Sequence, residues 1–358
     1  MNEMSSRDRR ALRARYIRIV LVVAGVALAA LLVWRTGWAS IQANLAIIGW
    51  RFFGLTALYL LAEIAFVLGW RAVMEPRPPL SSVPELLRIY LVGNSLNYLS
   101  PGSVAGEPVR ASMLRSRLET SRAIASVTIF KHAHLLSQAL FVATGLSVAL
   151  VYFDLPAPAR WAAIVSLVIL FGLLVLMTWA LRKGSFGPIV AGLSRFRPLR
   201  ARLARYRESA HALDEVIRRF YADHHRDFLV AAAWTFLGWC GGLLETYLIL
   251  RMLAPGRGGA TAFAVESLAM LLNNMFLFVP GRAGAAEGVR TAVFVLLGLP
   301  ASTGVAYGLV RRTRELLWVL PGLVLGGRAR SHERADEDED SSRQPLTPAL
   351  SRGERGMR

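Results

Sequence analysis

Long apolar blocks constrain this chain more than any other feature. Seven of them, at residues 17–34, 52–70, 124–153, 161–181, 228–250, 263–279 and 303–326, lie near or above the ~20 residues that a helix needs to cross a bilayer. Hydrophobic residues make up 54% of the chain, above the ~45–50% usual for soluble domains. The expected fold class is therefore an all-α polytopic membrane protein.

The net charge of +18 raises the question of nucleic acid, and its location answers it. The stretch 328–358 holds seven basic and seven acidic residues and adds nothing net. The excess borders the apolar blocks: six Arg fall in the first eighteen residues, and eleven Lys or Arg stand against five acids across 182–227. Flanking positive charge marks the cytoplasmic side of membrane helices. No basic segment interleaves with aromatics in a way that would stack bases, so nucleic acid is not an expected partner. Cys240 is alone inside an apolar block, which excludes a disulfide framework or a Cys metal site within one chain. Neither a metal nor a cofactor is expected, and no P-loop points to ATP hydrolysis.

With the N-terminus cytoplasmic, block 17–34 reads as a retained first helix, because Arg35 and Trp38 follow it as interfacial anchors. The basic stretch 182–227 then falls on the cytoplasmic side. Within it Leu193, Phe196, Leu199, Leu203, Tyr206, Ala210, Leu213, Ile217 and Phe220 recur three or four apart. That spacing predicts an amphipathic cytoplasmic linker over about 190–222 resting on the inner membrane surface. The run "ADEDED" and the neighbouring Pro, Ser and Gly predict a disordered tail over 328–358.

Two polar stretches interrupt the apolar pattern, and they resemble each other. "NSLNYLSPGSVAGEPVR" starts at Asn94, and "NNMFLFVPGRAGAAEGVR" starts at Asn273. Each Asn precedes its Pro-Gly by seven residues, and Glu107 and Arg110 correspond to Glu287 and Arg290. Further on, "IFKHAHLL" at Ile129 lines up with "LVRRTREL" at Leu309. Two such units entering the membrane from opposite sides form an inverted-topology repeat. The expected units are residues 45–153 and 224–327, together an integral membrane domain over 1–327. Each is expected to hold a re-entrant helical hairpin broken at Pro-Gly.

The polar residues of these units are the candidate site. Pro101-Gly102 and Pro280-Gly281 break a helix where only protein or a watery cavity can cover the backbone. Asn94, Asn97 and Asn273 can bond the freed groups. Glu107 and Glu287 sit where a restarted helix begins, with Arg110 and Arg290 three residues on and on the same face. Those four residues read either as local caps and pairs or as headgroup contacts. Arg311, Arg312, Arg314 and Glu315 fall mid-block, where each charge costs ~2.5–3.5 kcal/mol on the mildest insertion scale. Glu315 can pair with Arg311 or Arg312 along the helix, and a buried polar cavity is the expected remainder. Lys131, His132 and His134 occupy the matching place in the first unit, the two His pointing to different faces. Glu63, Glu245 and Glu266 are the natural partners for these cations.

"YLSPGSVAGEPVRASML", "LFVPGRAGAAEGVR…LGLPAS…RRTRELLW" and the mid-helix cationic clusters resemble the flippase-like transmembrane domain of lysylphosphatidylglycerol synthases. "LGWCGGLLETYLILRML" and "AVESLAMLLNNMFLFVPGRAGAAEG" are most similar to the branch associated with hopanoid biosynthesis. The resemblance covers about 15–327. It implies lipid translocation or trafficking in the bacterial inner membrane, with a membrane lipid as substrate. The Pro-Gly, Asn and charged residues of the two polar stretches and of the mid-block clusters would then bind lipid. The soluble aminoacyl-transferase domain of the synthases has no counterpart in these residues, so synthase activity is not expected. Two other readings stand: an enzyme that modifies lipid headgroups with Glu107 or Glu287 as base, and a scaffold for lipid-synthesis enzymes.

Overall fold

The structure, a computed structural model, describes residues 38–74, 82–115, 117–195, 207–276, 278, 279, 282 and 284–343. The expected first helix at 17–34, Pro280, Gly281, residues 344–358 and Phe196, Leu199, Leu203 and Tyr206 of the linker lie outside them. The described residues are helical, with no strand among them. In chain order the helices are α1 (Trp38–Ile48), α2 (Arg51–Ala72), α3 (Val83–Leu99), α4 (Gly106–Leu114), α5 (Thr120–Tyr152) and α6 (Ala157–Lys183). There follow α7 (Phe186–Leu193), α8 (Arg207–Asp223), α9 (His225–Leu253), α10 (Gly259–Asn273), α11 (Ala285–Leu296) and α12 (Ala301–Arg343). The last helix runs past residue 327, where the sequence pattern places the start of a tail.

Four of these helices, α2, α5, α6 and α9, are long and apolar enough to span a membrane. The blocks at 263–279 and 303–326 behave differently. The first yields only the fifteen residues of α10, and the second forms a helix carrying charge at its centre. Along α6, Trp161, Val168, Ile169, Leu173, Val175, Leu176 and Trp179 all face outward. So continuous an apolar exterior is stable against lipid and not against water.

At the centre α2 and α9 pack antiparallel, pairing Ala62 with Gly241, Phe66 with Gly238, and Gly69 with Ala231 and Thr235. A methyl group on Gly238 would sit 2.6 Å from the Phe66 ring, so the close approach requires glycine there. Small residues at such a crossing let two membrane helices gain van der Waals contact where the hydrophobic effect offers little. α3 folds back along α2 through Trp70 and Tyr90 and through Glu63 and Asn94. α10 folds back along α9 through Thr246 and Glu266. α12 crosses α3, where Ser95 Oγ donates to the Val319 carbonyl at 2.9 Å.

The α8 part of the amphipathic linker departs from expectation, while Leu193 at its start is exposed. The apolar face of α8, made by Ala210, Leu213, Ile217 and Phe220, is buried. Protein covers it, since α5, α6 and α7 pack against this helix. Polar ties fix it there: His132 Nδ1 bonds the Tyr221 hydroxyl at 2.6 Å, and its Nε2 bonds Thr178 at 2.9 Å. Asp214 accepts from the backbone N–H groups of Phe186 (3.0 Å) and Gly187 (2.7 Å), satisfying donors that the start of α7 leaves open. A helix that buries its stripe on its own chain has none left for the bilayer surface.

Candidate functional site

The first polar stretch folds as two helices joined by a tight turn. α3 ends at Leu99, Ser100 is extended, and Pro101–Ser103 make one 3-10 turn with Gly102 at φ +75° and Ser103 at +51°. The left-handed region explains the glycine. The chain then returns so closely that the Gly93 carbonyl occupies the place a Cβ on Gly106 would need.

The cap at the start of α4 comes from a residue of the previous helix. Asn97 Oδ1 accepts from the Gly106 N–H at 2.6 Å, and its amide nitrogen donates to Glu107 Oε1 at 3.2 Å. Lys131 Nζ on α5 donates to the same Glu107 oxygen at 2.9 Å. Glu107 therefore pairs with Lys131 of a neighbouring helix and not with Arg110 of its own. Arg110 is buried over the Tyr90 ring, 4.5 Å from guanidinium to centroid. It donates to Asn94 Oδ1 at 2.5 Å and to the Tyr90 carbonyl at 3.4 Å. Asn94 in turn donates to Glu63 Oε2 at 3.3 Å.

In the second stretch regular helix stops at Asn273, a full seven residues before Pro280, and a 3-10 turn covers Asn274–Phe276. Asn273 is buried with its side-chain oxygen unpartnered. α11 follows Gly284, whose φ is +73°. Glu287 lies 3.4 Å from Arg312, and Arg290 donates to Glu315 at 2.5 Å.

α12 runs unbroken through its four charges because other helices neutralise them. Arg311 donates to Glu245 (2.6 Å) and Glu266 (2.7 Å), and Arg314 donates to Glu245 at 3.1 Å while lying 3.6 Å from the Tyr59 ring centroid. Thr246 and Tyr307 donate to the second Glu266 oxygen at 2.6 and 3.1 Å. The expected pairing of Glu315 along its own helix is secondary, reaching only Arg312 at 3.9 Å. Removing one member of such a buried pair costs about 3–5 kcal/mol, because the other is left desolvated and alone.

These side chains surround a cavity of about 680 Å³, within the roughly 300–1,000 Å³ of small-molecule sites. Of the expected residues, Asn94, Asn97, Gly102, Lys131, Asn273, Arg290, Arg311, Arg314 and Glu315 line it. Glu107, Arg110, Glu287 and Arg312 stand behind that lining as partners of residues in or beside it. Pro101 lies in the turn next to Gly102.

A family model described as the lysylphosphatidylglycerol synthase TM region matches residues 20–322. The chain belongs to this family. It is thus a membrane protein of a family tied to lipid modification or flipping, and the match takes in both polar stretches and α12 up to its proline. No curated protein and no solved structure matches the chain.

Sequence reasoning missed several residues of the cavity: Tyr59, Gln138, Trp239, Arg282 and Trp318. Tyr59, Trp239 and Trp318 sit in apolar blocks and look like ordinary membrane-helix aromatics until their neighbours are known. Arg282 offered one signal, as the residue directly after the second Pro-Gly; its backbone is left-handed, at φ +47°.

Proposed function

We propose that this protein is a lipid transporter of flippase type in the bacterial inner membrane, N-terminus cytoplasmic, passing a polar headgroup through the central cavity. The observation that carries this reading is the cavity itself. A site lined by fixed Arg, Lys, Glu and Asn side chains lies inside a protein whose flanks are apolar. Such a site shelters a headgroup while the acyl or polycyclic tail stays in lipid. The two polar stretches are read as re-entrant hairpins of inverted repeats. Their supports are the matched Asn, Glu and Arg positions, the antiparallel contact of α2 with α9, and the folding back of α3 on α2 and of α10 on α9. A hopanoid-type lipid is the substrate that the branch-level resemblance favours.

The rival reading, a headgroup-modifying enzyme, needs Glu107 or Glu287 as a free base. Each has one carboxylate oxygen against a cation on a neighbouring helix, at 2.9 and 3.4 Å, and neither has a residue beside it in the role of nucleophile or metal ligand among the described residues. The test is purified protein in liposomes carrying labelled lipid in one leaflet, followed by mass analysis of that lipid. Movement between leaflets with unchanged mass is expected. A new lipid mass in the absence of movement would assign the enzyme reading.

A further inference from the structure

Six carboxylates stand in and around the cavity, and five of them have a cation within 4 Å. Glu107 has Lys131, Glu245 has Arg311 and Arg314, Glu266 has Arg311, Glu287 has Arg312, and Glu315 has Arg290. Glu63 is the exception among the described residues. It is 5% exposed, it lines the cavity, and its one hydrogen bond comes from the neutral amide of Asn94 at 3.3 Å. A buried carboxylate without a counter-ion takes up a proton more readily than it holds a charge.

Arg110 has the complementary peculiarity. It is 3% exposed and has no carboxylate within 4 Å among the described residues; its bonds run to Asn94 and to the Tyr90 carbonyl. The Asn94 amide therefore stands between an acid and a base that do not touch, oxygen toward Arg110 and nitrogen toward Glu63. The remaining groups around Glu63 are Tyr59 on its own helix, Tyr90 on α3 and Arg314 on α12, whose guanidinium is spent on Glu245 of α9 and the Tyr59 face. On α5, Lys131 is paired with Glu107 and His134 packs on the Phe66 ring one turn along α2. None of these pairs with Glu63.

We infer that Glu63 is a proton-binding site through which this protein couples lipid movement to a proton gradient. The proposal rests on the transporter reading given above. With a proton on Glu63, the acid is neutral and Asn94 holds Arg110 away. On loss of the proton, the carboxylate attracts Arg110 and displaces the amide between them. Asn94 lines the cavity beside the hairpin turn, so that exchange changes the surface a headgroup meets. In one cycle a proton leaves water on one side, forms an O–H bond on Glu63 and is released to water on the other. No other bond changes, and intramembrane carboxylates are used in this way in proton relays generally.

Two measurements on the full chain test this. In infrared spectra recorded across pH, the wild type should show a protonated-carboxyl C=O band that titrates away and is missing from Glu63→Gln. Identical bands in both proteins overturn the proposal. Should Glu63→Gln fail to accumulate, Glu63→Asp keeps the acid on a shorter arm and must shift the pH at which the band disappears; an unshifted band overturns it equally.

In liposomes, a gradient of about two pH units should bias the steady-state leaflet distribution by up to ~100-fold for one proton per lipid, reversing with the gradient. In Glu63→Gln the ratio between the two gradient directions should fall to one. Lipid movement in the wild type that ignores the gradient, or a Glu63→Gln ratio equal to the wild type's, overturns the coupling. Absence of any lipid movement in the wild type would defeat the transporter reading instead, and the infrared result would still decide whether Glu63 binds a proton.

Discussion

Single residues of this protein carry charges that a membrane helix bears only in company. Glu245 is fully buried and bridges Arg311 and Arg314. Arg314→Glu places a second anion against it and removes one of its two partners. We expect a loss of at least the ~3–5 kcal/mol of a broken buried pair, read as a collapse of thermal stability in detergent. Arg110 and Arg290 differ in kind. The first makes only neutral contacts, and the second has one nitrogen, Nη1, buried without a partner. The double change Arg110→Gln, Arg290→Gln should leave insertion intact and reduce lipid movement several-fold. Wild-type movement at matched protein density would return both to a purely structural role. The sequence named Glu245 and Glu266 as partners for the cations, but not which cation each would meet. Their charges were visible, but pairing depends on which helices touch. The local rule that favoured Glu315 with Arg311 or Arg312 reaches only Arg312 at 3.9 Å, and the close partner is Arg290 of α11.

At the scale of elements, the hairpin turn makes two glycines unequal. Gly102 has a left-handed backbone but open space around it, a Cβ there meeting only Val104 at 3.9 Å. Gly102→Leu should cost about 1–2 kcal/mol in backbone strain and slow lipid movement, since the new side chain enters the cavity mouth. Gly106→Leu should fail more severely, because the Gly93 carbonyl already fills its space. Thermal melts of the two variants check that order, and equal melting temperatures would contradict it. The first break was legible because Pro and Gly act on the local backbone. The end of α10 at Asn273 was not, since the apolar composition continues to Val279 and hides it. The stripe on α8 was legible as a stripe. What covers it was not, for periodicity says that a face is buried and not whether lipid or protein buries it.

Across the whole molecule, the proposed inverted arrangement puts the two Pro-Gly stretches on opposite sides of the membrane. Val104 and Phe278 are exposed residues of the two stretches. With the single native Cys240 replaced, Val104→Cys and Phe278→Cys should react with a membrane-impermeant thiol reagent from opposite sides of oriented vesicles. Reaction of both from one side would contradict the inverted repeat while leaving the cavity untouched. The most direct measurement asks whether lipid passes through that cavity at all. Val104 lines its mouth and is 63% exposed, so a cysteine there can be modified to completion with a bulky reagent after folding. Lipid movement by the same Val104→Cys liposomes, measured before and after modification, should fall to near the rate of protein-free liposomes. An unchanged rate after complete modification would place the lipid path elsewhere.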